Sequence, residues 1–103
     1  MSNCGLTEQD LLAITKVFAD SSQIEEARLF GSRAKGNFKT GSDVDIALKG
    51  NKLTAEIVNH ISYLLNEESL MPYKFDIVNY QTINNSDLLE HIDRVGIRLF
   101  ARE

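Results

Sequence analysis

Two aspartates stand two residues apart in a segment that otherwise alternates like a half-buried strand, Asp43-Val44-Asp45-Ile46-Ala47-Leu48. Successive side chains of a strand point to opposite faces, so Val44, Ile46 and Leu48 share one face and Asp43, Asp45 and Ala47 the other. Aspartate is depleted from strands because its short carboxylate competes for backbone hydrogen bonds. Two on one face, with Cα atoms roughly 6.5 Å apart, repel each other, and one of them is expected to hold its proton more tightly. A divalent cation removes that conflict. Hard oxygen ligands suit Mg²⁺ or Mn²⁺, and two such ions about 3.5–4 Å apart can flank a phosphoryl group. The plainer alternative makes Asp43, following Ser42, a turn residue at the strand's edge.

A third aspartate repeats the oddity. Asp76 lies between Phe75 and Ile77 in a segment, residues 73–79, that also reads as a strand. If that strand neighbours the first, Asp76 joins the same cluster; on a half-exposed strand it would simply face water. Ahead of the acids, Gly31-Ser32 follows a segment, residues 24–30, that reads as a strand with a polar beginning, and Arg33, Lys35 and Lys39 stand close behind. Glycine permits φ > 0 and close approach of the backbone to a phosphate, and Ser32 adds a hydroxyl and an N–H. Alone, Gly-Ser with scattered cations also describes an ordinary surface turn. Together the pieces make the pattern G-S-x10-D-x-D in a strand–loop–strand setting.

The remaining periodicities place this pattern in a small α+β fold. Thr7 can cap a first helix whose Leu11, Ile14 and Phe18 recur at helical spacing, widened by Leu12 and Val17. Residues 24–30 read as a strand, and Leu53, Ile57, Ile61, Leu64 and Leu65 as a second helix. Asn85 or Ser86 caps a last helix on which Leu88, Ile92, Val95 and Leu99 form one stripe, with Gly96 at a point of close packing. The expected architecture is a small mixed β-sheet with helices packed on one face, the second and third strands joined through a helix in a crossover that would be right-handed if parallel. With 103 residues, a single domain over the whole chain is expected.

The run Gly31-Ser32-Arg33-Ala34-Lys35-Gly36 through Ser42-Asp43-Val44-Asp45-Ile46 resembles the signature of the minimal nucleotidyltransferases, a branch of the DNA polymerase beta-like nucleotidyltransferase superfamily. The resemblance extends to Phe75-Asp76-Ile77-Val78 and to His91-Ile92-Asp93-Arg94-Val95-Gly96. It implies a nucleotidyltransferase-like fold, with Gly31 and Ser32 holding the phosphates of a nucleoside triphosphate, and Arg33 and Lys35 as further phosphate ligands. Asp43, Asp45 and Asp76 would be the catalytic acids and the ligands of two Mg²⁺ ions, Mn²⁺ being the alternative. Asp76 would also help to deprotonate the attacking hydroxyl. The implied reaction moves a nucleoside monophosphate, AMP from ATP, onto that hydroxyl. The implied acceptor is a tyrosine on a small helical partner of the HEPN type, so that the chain acts as the antitoxin of a toxin–antitoxin system and a hetero-oligomer with the partner is open. The competing reading is a non-catalytic module that neutralises its partner by occlusion. A phosphodiesterase using the same acids is disfavoured, because hydrolysis needs no triphosphate cradle.

Composition narrows the partners. Eleven basic against fifteen acidic residues give a net charge of −4, the wrong sign for a stand-alone nucleic-acid binder. No apolar run approaches the ~20 residues of a membrane span and no signal peptide opens the chain, so a cytoplasmic protein without membrane contacts is expected. The lone Cys4 is expected to be a free thiol near a frayed terminus. His60 and His91 are expected at helix surfaces or boundaries, and Tyr63, Tyr73 and Tyr80 at the edges of the core.

Overall fold

A computed structural model describes residues 4–102. Its elements are α1 (Glu8–Ala19), β1 (Glu26–Phe30), a short α2 (Gly31–Lys35), β2 (Val44–Lys49), α3 (Ala55–Tyr63), β3 (Phe75–Asn79), α4 (Ser86–Val95) and β4 (Ile97–Ala101). One π-helical turn, Leu64–Glu68, extends α3. The strands form one mixed sheet in the order β3-β2-β1-β4. β1 runs antiparallel to both of its neighbours; β2 and β3 are joined through α3, as expected, and pair in parallel.

The helix starts are chemical. The Thr7 hydroxyl accepts the Asp10 N–H and the Asp10 carboxylate accepts the Thr7 N–H, both at 3.0 Å, a reciprocal capping box. Asn85 accepts the N–H groups of Asp87 and Leu88 at the start of α4.

The alternation in β2 sets the two sides of the sheet. Val44, Ile46 and Leu48 are fully buried in a core with Ala27 and Leu29 of β1, Ile14 and Phe18 of α1, Ile61 and Leu65 from α3 and its π turn, and Phe75 and Ile77 of β3. On the other face Phe30, Ala47 and Ile92 form a second, smaller cluster beneath α4. The expected sheet with helices on one face thus holds for α1 and α3, and α4 rests on the opposite side.

Three local expectations give way. The last helix does not run to Leu99: it stops at Val95, and Ile97–Ala101 forms the edge strand β4. Close packing at Gly96 is real, because a Cβ there would overlap the carbonyl of Ile92, whose oxygen accepts the Gly96 N–H at 2.9 Å. Leu12 does not join the buried stripe of α1 but stands 70% exposed. Cys4, rather than fraying, is buried in the main core. The chain returns to α1 at its end: Arg102 donates to the carbonyls of Phe18, Ala19 and Ser21, satisfying the C-terminal groups of a helix distant in sequence. Glu103 lies outside the described residues. Among the described residues no helix is long and apolar enough to cross a membrane.

Candidate active site

Register brings the acids together. In the parallel β2–β3 ladder Asp45 pairs with Asp76, so the two carboxylates leave the same face of the sheet side by side. Asp43 stands just before β2, an even number of residues from Asp45, and is exposed, as is Asp76. Asp45 also pairs with Phe30 across the antiparallel β1–β2 ladder, which places the acids at the end of β1 where the Gly-Ser turn begins.

Burial, then the charges of Asp76 and Asp43, push the Asp45 carboxyl above the ordinary aspartate range, and His91 and Arg33 oppose them. This is the tension expected of crowded acids, and it falls on the one with a strand on either side.

Gly31 is packed onto the same carboxylate. Its φ is +78°, and a Cβ at this position would overlap Oδ2 of Asp45. Both facts demand glycine. The Gly31 N–H donates to Nε2 of His91 at 3.0 Å. The His91 ring meets Phe30 edge-on, with centroids 6.2 Å apart. His91 is therefore a prop for the Gly-Ser turn, a role the sequence hides because its partner is sixty residues away. Ser32, partly exposed, is the second residue of α2, and its hydroxyl makes no hydrogen bond among the described residues.

The basic residues divide. Lys35 and Lys39 are exposed. Arg33, expected as a phosphate ligand, is only 3% exposed and is turned inward. Its guanidinium donates twice to the carbonyl of Ser42, at 3.2 and 2.9 Å, and once to that of Cys4 at 2.9 Å. The rings of Phe38 and Tyr73 lie on it, each centroid 5.0 Å away. With its donors satisfied by backbone oxygens, Arg33 fixes the residue that precedes Asp43 instead of meeting a phosphate.

Three carboxylates make a hard-oxygen set, which fits Mg²⁺ or Mn²⁺. Among the described residues, no three His, Cys, Asp or Glu side chains close into a cage for an ion on their own. Mg²⁺ is usually held by one or two carboxylates, with waters and substrate phosphates completing its shell.

The model of the family described as polymerase beta, nucleotidyltransferase, matches residues 13–103, a span that includes the Gly-Ser turn and all three acids. The chain belongs to this family. No curated protein matches it in sequence. Its fold is similar to a crystal structure of a toxin–antitoxin with AMP-PNP, at 20% identity and a TM-score of 0.73, covering 94% of this chain and 76% of that one. It is also similar to a structure of a tri-AMPylated HEPN toxin from Shewanella oneidensis in complex with an MNT antitoxin, at 19% identity and a TM-score of 0.71, covering 94% and 74%. A putative nucleotidyltransferase from Sulfolobus solfataricus matches at 15% identity and a TM-score of 0.56, covering 89% and 77%.

Proposed function

We propose that this nucleotidyltransferase domain transfers AMP from ATP to a tyrosine hydroxyl of a small helical HEPN-type toxin, in the cytoplasm, and so acts as its antitoxin. The observation that carries the reading is the pairing of Asp45 with Asp76 on one face, with Gly31 packed on Asp45. The similarity in fold to a toxin–antitoxin complex with AMP-PNP and to a complex containing a tri-AMPylated toxin supports both the nucleotide and the acceptor.

In this reading Ser32 and Lys35 bind the triphosphate, and the turn at Gly31 lets its backbone approach. Asp43, Asp45 and Asp76 would hold the cations. Two Mg²⁺ ions, when bound, stabilise charge on the attacking and leaving oxygens. The hydroxyl oxygen attacks the α-phosphorus, the bond to the α,β-bridging oxygen breaks, and pyrophosphate leaves. Asp76 helps to take the hydroxyl proton. The chain's main task is to hold the reacting atoms in line, and positioning of this kind is worth many orders of magnitude in rate.

Incubation with the helical partner, Mg²⁺ and ATP labelled at either the α- or the γ-phosphate tests the proposal. Label on the partner from α-labelled ATP only, abolished in an Asp43→Asn/Asp45→Asn variant, is expected. Equal labelling by that variant would overturn it. Full neutralisation of the toxin by the unlabelling variant would favour occlusion.

A further inference from the structure

β3 is an edge strand, and its first residue is Phe75. The Val44 N–H donates to the carbonyl of Lys74 at 2.8 Å, so Lys74 and Asp76 direct their backbone groups toward β2. Strand alternation then turns both backbone groups of Phe75 outward, where no further strand lies. Unpaired, the opening residue of an edge strand frays. Here one side chain takes the place of the missing strand. Oδ1 of Asn66 accepts the Phe75 N–H at 2.8 Å, and Nδ2 of Asn66 donates to the Phe75 carbonyl at 3.0 Å.

Asn66 reaches this position through the π-helical turn, Leu64–Glu68. Adding one residue to an α-helical turn rotates the residues beyond it by about 100°. The turn leaves Leu65 fully buried and sets Asn66 against the strand, where Nδ2 also donates to the Ser62 hydroxyl at 3.2 Å. The Ser69 hydroxyl donates to the Leu65 carbonyl at 2.6 Å and closes the turn.

Asp76 is the next residue in the chain. Phe75 sends its ring into the core, and Asp76 sends its carboxylate to the opposite face beside Asp45. We propose that Asn66 is a positioning residue that fixes Asp76 against Asp45 through the backbone of Phe75. The inference rests on the reading of Asp76 as a metal-holding acid. It adds that this acid is held by two strand edges, β2 on one side and the Asn66 carboxamide on the other. Displacing such a group by about 1 Å is enough to cost roughly 100-fold in rate.

The test is a double-mutant cycle between Asn66→Ala and Asp76→Asn. Its readout is the affinity for Mn²⁺ in the presence of a non-hydrolysable ATP analogue. Asn66→Ala is expected to weaken Mn²⁺ binding by roughly 10-fold, the lower end for residues that orient metal ligands, and to add nothing in the Asp76→Asn background. Hydrogen exchange gives a metal-free readout: the Asp76 amide should exchange faster in Asn66→Ala while amides of β1 keep their protection. Should Asn66→Ala fold poorly, Asn66→Asp keeps the size and the acceptor, loses the donor to the Phe75 carbonyl, and should weaken Mn²⁺ in the same direction. Unchanged Mn²⁺ affinity in both Asn66 variants, with Asp76→Asn impaired, would overturn this inference alone. An equal further loss in the Asp76→Asn background would also overturn it, because the effect would not run through Asp76. Unchanged affinity in Asp76→Asn would overturn the role of the acid and this inference with it.

Discussion

Gly31 and Asp45 occupy each other's space: the position a side chain would take on Gly31 is filled by the carboxylate of Asp45. The turn and the acid are therefore one structural unit, though thirteen residues of chain separate them. Gly31→Ala adds the cost of a left-handed backbone, about 1–2 kcal/mol, to the overlap with Asp45. A fall in melting temperature of at least ~4 °C is expected, since 1 kcal/mol corresponds to about 4–8 °C in a domain of this size. The loss should shrink in an Asp45→Ala background, where the overlap is gone. Equal losses in both backgrounds, measured by thermal melts, would show that the two residues are not coupled.

The crowding of the acids has a sign in pH. Asp45 titrates above its ordinary range in the folded chain, by burial and by the neighbouring Asp76 and Asp43. A raised carboxyl binds its proton more tightly when folded, so its contribution to stability is present at low pH and is lost as pH rises through the folded pKa. Without divalent cations, Asp45→Asn should thus melt at a higher temperature than the natural chain at neutral pH. The advantage should narrow as pH falls through the carboxylate range. Added Mg²⁺ and nucleotide should stabilise the natural chain and not the variant. A variant less stable at neutral pH in chelator would contradict the strain assigned to this site.

His91 supports the turn from α4 by accepting the Gly31 N–H. Replacing it by Leu removes the acceptor and leaves a partly buried donor unpaired, at a cost of about 1–3 kcal/mol. A lower melting temperature and weaker binding of the ATP analogue are expected in His91→Leu. Calorimetry showing unchanged nucleotide affinity would remove His91 from the support of the site.

Arg33 and Lys35 should behave as opposites. Arg33→Met removes the donors to the Ser42 and Cys4 carbonyls and a cation lying on two rings, so it should destabilise by about 3 kcal/mol or more. Lys35→Ala, on an exposed helix end, should leave stability nearly unchanged and weaken ATP binding several-fold. Thermal melts and nucleotide titrations of both variants separate the roles. The pattern reversed would restore Arg33 as a phosphate ligand.

What the sequence reveals and what it hides divide along physical lines. Asp43, Asp45 and Asp76 stand out because strand alternation is strict, so an acid on a pleated surface has a known face. The strand β4 is hidden because Leu88, Ile92, Val95 and Leu99 keep a helical period across Gly96, while the stop is made by the backbone at Ile92. Arg33 is misread for a different reason. A cation beside a Gly-Ser turn looks the same whether it faces a phosphate or folds back onto Ser42 and Cys4. The choice is made by Phe38 and Tyr73, which only the fold brings alongside. Asn66 and His91 are ordinary polar residues of helical segments until their partners, Phe75 and Gly31, are placed against them.

The claim on which the rest depends is that Asp43, Asp45 and Asp76 jointly hold dications on the sheet face beside Gly31 and Ser32. A crystal of the chain with Mn²⁺ and a non-hydrolysable ATP analogue tests it through anomalous scattering. The expected map shows Mn²⁺ bound by Asp43 and Asp45, with Asp76 on the ion farther from the β-phosphate, and the triphosphate against Ser32. Triphosphate and Mn²⁺ bound away from these three carboxylates would contradict the account.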